Sequence, residues 1–213
     1  MRALTCPPGR LVMPGPLAPV RGDTMAAARI VILNGIGSAG KSSIARALQT
    51  ITAEPYLHLS MDAFLDMLPP ALLDHPDGLR FETLMQDGRP AVAIHSGPAI
   101  ARLLHGMRQC VAAMARAGNS LIVDEVIIDE ATPGAAQAEY ERLLAPLRPV
   151  WVGVMASLAV LEDRESRRAD RMPGLARWQF GRVHAGMRYD CTVDTDSATA
   201  EACALAIRQQ FEL

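Results

Sequence analysis

The chain has 213 residues, half of them hydrophobic, which is enough to bury one sizeable core within a single domain. A formal net charge of −2 and a sequence pI near 6.2 exclude the strongly basic face that nucleic-acid binding requires. No apolar run approaches the roughly 18 residues of a membrane span.

Residues 1–24, MRALTCPPGRLVMPGPLAPVRGDT, are rich in proline and glycine and show no periodicity. They lack the continuous apolar stretch of a signal peptide, so they read as a disordered extension or as a misassigned start ahead of Met25. Ile30–Leu33 is a short β-branched run bounded by Asn34-Gly35, the pattern of a buried strand. Ile44, Leu48 and Ile51 then recur at helical spacing within 41–52. A second strand is expected over Tyr56–Met61, ending at Asp62. Residues 63–95 read as irregular, punctuated by Pro69-Pro70, Pro76, Asp87-Gly88 and Pro90. Pro98 opens a helix that runs to about Ala117 and stops at Gly118-Asn119.

Leu121–Ile128 is the third expected strand, about Ala135–Leu147 a helix, and Pro149–Ala156 the fourth strand. An arginine-rich helix over Leu158–Arg171 is broken by Pro173-Gly174. A helix over about 175–186, a fifth strand at Tyr189–Val193 and a helix over 198–211 complete the chain. Near-continuous apolar strands alternating with helices indicate an α/β fold, a parallel sheet covered on both faces. Cys6, Cys110, Cys191 and Cys203 form no C-x-x-C pair, so reduced thiols are expected rather than a metal site or disulfide framework.

Gly35-Ile36-Gly37-Ser38-Ala39-Gly40-Lys41-Ser42 fits G-x-x-x-x-G-K-[ST] at every position, between an expected strand and an expected helix. The glycines allow a tight turn that aims successive N–H groups at phosphate oxygens. The positive end of the following helix adds to that field. Lys41 is the chain's sole lysine; every other basic side chain is arginine. A compact ammonium on a slim stem can reach β- and γ-phosphates from inside the loop, where a planar guanidinium cannot. The loop residues from Gly35 to Ser43 are therefore the candidate nucleotide site, with Ser42 offering its hydroxyl to Mg²⁺. Asp124, at the end of the LIV run, has the place of a second Mg²⁺ ligand. Glu125 beside it reads either as a water-activating carboxylate or as a surface residue.

VILNGIGSAGKSS, MDAFLDMLP at 61–69, VAAMARAGNSLIVDEV at 111–126, VWVGV at 150–154 and the DRESRRADR and VHAGMRYDCTVDT stretches of 163–195 resemble the chloramphenicol phosphotransferase family in order and spacing. The resemblance covers nearly everything from residue 29 onward and implies a P-loop kinase fold with a five-stranded parallel sheet. It also implies ATP and Mg²⁺, transfer of phosphate to a hydroxyl of a small molecule, and a role in antibiotic resistance. The family's catalytic base is an aspartate just after the second strand, which corresponds here to Asp62. The 70–97 stretch departs from the family, and acceptor contacts are expected there.

Asp62 also stands on its own position. It follows a strand at the carboxyl edge of the sheet, where ligands bind in open α/β folds and a carboxylate can accept an acceptor's proton. The other reading is an N-cap for a short helix over Ala63–Leu68. Arg164, Arg167, Arg168 and Arg171 recur at helical spacing. They read as a lid, within about 158–175, that closes over ATP, with Arg164, Arg168 and Arg171 meeting phosphate charge. The opposing reading is a solvated helix with acidic neighbours. Phe64, Met67 and Leu68 are candidates for an apolar acceptor pocket. His58, His95, His105 and His184 have no evident partner.

These expectations amount to one cytoplasmic kinase domain over 25–213, acting on a small-molecule hydroxyl without nucleic acid or membrane, with a homo-oligomer left open. A guanine-nucleotide switch needs the lysine of N/T-K-x-D, which this chain lacks. A P-loop ATPase, and a kinase of a nucleoside- or sugar-like metabolite, remain as alternatives.

Overall fold

The computed structural model describes residues 27–129, 131–168 and 172–213. The first 24 residues and Arg171, both subjects of the sequence reading, lie outside the described residues.

Five strands form one parallel sheet in the order β2-β5-β1-β6-β7: β1 (Ile30–Asn34), β2 (Tyr56–Ser60), β5 (Ser120–Glu125), β6 (Val150–Met155) and β7 (Cys191–Asp194). β1 lies in the middle, and all five of its residues are buried. Its alternation divides the core. Val31 and Leu33 pack on one face with Ile44 and Leu48 of α1 (Lys41–Ile51) and Ile207 of α7 (Ala200–Phe211). Ile30 and Ile32 pack on the other face with Val111 of α3 (Pro98–Arg116) and with Tyr140 and Leu144 of α4 (Ala135–Leu144). A strand buried on both sides favours apolar residues throughout, which is why Ile30–Leu33 reads as an unbroken run. Truncating Leu48, fully buried, to alanine would cost about 2–5 kcal/mol.

Local chemistry sets the helix ends. Pro98 occupies the first turn of α3. Ser157 and Thr199 accept hydrogen bonds from the N–H groups of Val160 and Ala202, capping α5 (Leu158–Ser166) and α7.

The region 63–95 departs from expectation. After the short helix α2 (Met61–Leu65) and a 3₁₀ turn at Pro70–Leu72, an antiparallel hairpin forms from β3 (Leu79–Gln86) and β4 (Arg89–Ser96). Asp87 and Gly88 both have positive φ, 50° and 72°, as a two-residue turn matching the twist of its strands demands. Asp-Gly is that turn's signal, and Pro90 sits in a two-stranded ribbon where a missing N–H is tolerated.

The arginine helix is also shorter than its spacing implies. α5 ends at Ser166, so Arg164 lies on it while Arg167 and Arg168 lie beyond it. The following helix α6 covers only Leu175–Gln179, with turns where a helix to 186 was expected.

Candidate active site

The turn after β1 must pass close to β6. A Cβ on Gly35 would fall 2.6 Å from the carbonyl oxygen of Val154, so no larger residue fits. Gly40, at φ 93°, makes the left-handed step into α1. Ile36 and Ala39 turn their side chains into the core, leaving the loop's backbone and small residues toward a cleft of about 550 Å³. Gly37, Ser38, Gly40, Lys41, Ser42 and Ser43 line that cleft. The Lys41 ammonium is buried and donates to the carbonyls of Gly35 (2.8 Å) and Ile36 (3.1 Å), held inside the loop it would serve.

Asp124 is buried at the end of β5 and faces the same cleft. Burial pushes its carboxyl up. The hydrogen bond from His58, the Lys41 ammonium and the Ser42 hydroxyl outweigh that and hold it below the usual carboxylate range. His58 Nε2 lies 2.7 Å from Asp124 Oδ2, and Ser60 donates to Oδ1 at 3.3 Å. His58 thus has a partner after all, one strand over, because β2 pairs with β5 in parallel register. Ser42 and Asp124 together offer an ionised carboxylate and a hydroxyl, the hard oxygen donors that suit magnesium.

Glu125 is neither a surface residue nor free to activate water. It is fully buried, accepting from Arg108 Nη2 at 2.6 Å and from the Tyr140 hydroxyl at 2.8 Å. Arg108 also donates to Glu139 at 2.8 Å. Burial works against the Arg108 charge, but these two carboxylates hold it firmly protonated.

Asp62 does not cap a helix. Ser60 is the N-cap residue of α2, and Asp62 lies in the first turn. It lines the phosphate-loop cleft and also a second cavity of about 580 Å³. Leu65, Phe81, Ile94, Ile100, Leu104 and Trp178 are walls of the second cavity, with Arg108 and Glu125 among its polar groups. The hairpin therefore contributes one wall, within the 70–97 stretch where acceptor contacts were expected. Phe64, Met67 and Leu68 do not line it, and Met67 points to solvent at 61% exposure.

The arginines separate in role. Arg164 lines the first cleft while donating to the hydroxyl (2.9 Å) and carbonyl (2.7 Å) of Thr195, whose hydroxyl reaches the carbonyl of Ala39 in the loop (3.0 Å). Arg168 lines the cleft as well. Arg167 pairs with Asp163 on the surface.

Two supporting residues had no sequence signal. Asn34 accepts from the N–H of Ile127 and donates to the Val183 carbonyl and the Tyr189 hydroxyl, tying the loop after β5 to the 183–189 segment. Burial pushes the Tyr189 phenol up to about 12, and burial with the Lys41 charge pushes His184 down. A neutral His184 can then accept a hydrogen bond from the Tyr189 hydroxyl, 2.7 Å from Nδ1. Glu165, also buried, accepts from the N–H groups of Gly174 and Ala176 at 2.8 Å each and so holds α6 against α5.

Residues 28–212 match the family model described as chloramphenicol phosphotransferase-like protein. The chain belongs to this family. Two Mycobacterium tuberculosis relatives, each named "Putative O-phosphotransferase", are 30% identical over 190 residues, covering 86% of this chain and 82% of theirs. Among solved structures, a Janibacter sp. sugar kinase superposes with a TM-score of 0.59 at 18% identity, covering 87% of this chain and 95% of its own. The Deinococcus radiodurans tunicamycin resistance protein does so with a TM-score of 0.59 at 16% identity, over 87% and 96%. At such identities the likeness concerns the fold, which is that of the P-loop kinases.

Proposed function

We propose that this family member is an ATP-dependent phosphotransferase that acts on a hydroxyl of a small molecule with an apolar body. The observation that carries the reading is Asp62, which lines both the phosphate-loop cleft and the apolar cavity. Phosphoryl transfer needs such a meeting point, because donor and acceptor oxygens must approach in line.

In this reading the loop amides and Lys41 bind the phosphates of ATP. Ser42 and Asp124 would hold Mg²⁺, which neutralises phosphate charge when bound. The acceptor lies in the second cavity with its hydroxyl toward Asp62. The acceptor oxygen forms a bond to the γ-phosphorus as the bond to ADP breaks, and the hydroxyl proton passes to Asp62. Arg168, with Arg164 braced on Thr195, offsets the charge on the moving group. The walls formed by Leu65, Phe81, Ile94, Ile100, Leu104 and Trp178 suit an acceptor with an aromatic or aliphatic body. An ATPase reading that uses Glu125 as base is disfavoured, since both carboxylate oxygens already accept hydrogen bonds.

A panel of hydroxyl compounds, chloramphenicol first, incubated with Mg-ATP and read for phosphorylated product tests this. At least one acceptor should be phosphorylated. Asp62→Asn should slow that transfer by roughly 10²-fold while ATP affinity stays within about twofold. An Asn variant with normal turnover would remove Asp62 from the chemistry.

A further inference from the structure

Gln179, the last residue of α6, is 3% exposed, and the role just given to the site does not use it. Its Oε1 accepts a 2.7 Å hydrogen bond from the N–H of Gly37, in the phosphate loop. Gly37 lines the phosphate cleft, whereas Gln179 lines the apolar cavity. The side chain therefore spans the boundary between the two. A backbone N–H can only donate, so the amide oxygen is the atom that faces Gly37. That orientation turns the NH₂ group away from the loop, and among the described residues it has no hydrogen-bond partner. Gln179 lines the cavity, and its donor end is not sealed off there, so it is open to an acceptor that enters.

The backbone around Gln179 is well braced. Glu165 holds the start of α6 through two N–H groups, Gly174 accepts from the N–H of Val92 in β4 (3.0 Å), and the N–H of Val183 donates to the Gln179 carbonyl. Trp178 beside it packs against Ala91 and Ala93 of the hairpin. A donor held this firmly needs no reorganisation when charge arrives, the condition under which a neutral amide stabilises a transition state.

We propose that Gln179 is a substrate-contacting residue: anchored through Oε1 on Gly37, it donates from Nε2 to the phosphoryl group in transit between the two cavities. The ligand class is a planar or tetrahedral anion at the γ-position of a bound nucleoside triphosphate. This inference rests on the phosphotransferase reading, and the test separates the two.

The probe needs no acceptor. Affinities for Mg-ADP alone and for Mg-ADP with aluminium fluoride, a mimic of the moving phosphoryl group, are measured by calorimetry on the wild type and on Gln179→Met. The wild type should bind the fluoride complex more tightly than ADP. The Met variant, of similar length but without the donor, should keep ADP affinity within about twofold. It should lose on the order of 10- to 10²-fold for the fluoride complex, the scale of a missing transition-state donor. Gln179→Glu keeps an oxygen for Gly37 and serves where Met lowers the melting temperature; the same selective loss is expected. If both affinities fall together, Gln179 merely shapes the loop and the inference is overturned. Equal affinities in wild type and variants overturn it too. A wild type that binds neither ligand overturns the phosphotransferase reading itself.

Discussion

The two cavities are nearly equal in volume, about 550 and 580 Å³, and share Asp62, yet they are built in opposite ways. The phosphate cleft draws six lining residues from one contiguous stretch, 37–43, with main-chain N–H groups and the Lys41 ammonium, joined by Arg46, Arg164 and Arg168 from elsewhere. The second cavity is gathered from α2, the hairpin, α3, the end of β5 and the loop after it, and α6, with apolar walls and polar groups such as Asp62, Arg108 and Glu125 among them. Phosphate is the same in every nucleotide, so a short local motif can recognise it. An acceptor's shape is particular, and shape can be enclosed only by elements from several parts of the chain.

If that contrast is right, damage to the two regions should differ in kind. The largest effect is expected where the apolar cavity meets its buried charges. Glu125→Ala leaves Arg108 buried with one partner fewer and should cost about 3–5 kcal/mol, read from the denaturant midpoint. Unchanged stability with lost ATP hydrolysis would instead make Glu125 a water-activating base. Next, Lys41→Arg keeps the charge but not the shape. It should lower phosphotransfer on the order of 10³-fold with the melting temperature little changed. Activity near wild type would show that charge alone suffices and break the motif side of the comparison.

A smaller and one-sided effect is expected for Phe81→Ala on the hairpin wall. KM for a verified acceptor should rise about tenfold, and KM for ATP should stay put. Equal rises in both would merge the two cavities into one functional unit.

The smallest effect concerns acid. Asp124 has a folded pKa below its unfolded value, so the folded chain binds fewer protons there than the unfolded chain. Its contribution is present above the unfolded value, near 4, and is lost as pH falls through the lower folded one. His58→Ala removes the hydrogen bond that helps hold the carboxyl down and should move the acid-unfolding midpoint to higher pH, followed by circular dichroism. An unmoved midpoint would show the His58 contact to be inert.

The particular residues also explain what was legible in advance. The three central strands, β5, β1 and β6, were visible because burial on both faces leaves a nearly unbroken apolar run, as in IVIL or LIV, that few other structures permit. The P-loop was visible because phosphate binding fixes glycine, lysine and serine at set spacings within one turn. The hairpin was missed although Asp87-Gly88 marks it, because the prolines at 69, 70, 76 and 90 mask strand pattern and a two-stranded ribbon needs little of it. The arginine stripe misled because i, i+3, i+4, i+7 spacing shows a face only if the helix persists, and α5 ends at Ser166.

What the sequence by itself determined about this protein is therefore the layered α/β fold and the glycine-rich loop of the proposed phosphate site, since both are written in residues close together along the chain. Only the tertiary structure decided that His58 holds Asp124, that Glu125 belongs to Arg108 and Tyr140, and that Gln179 reaches Gly37 across 142 positions. Each of these joins side chains from separate elements. A hydrogen bond needs its two atoms within about 3 Å, and such closeness between distant residues comes from strand register and helix docking, which no short run of sequence specifies.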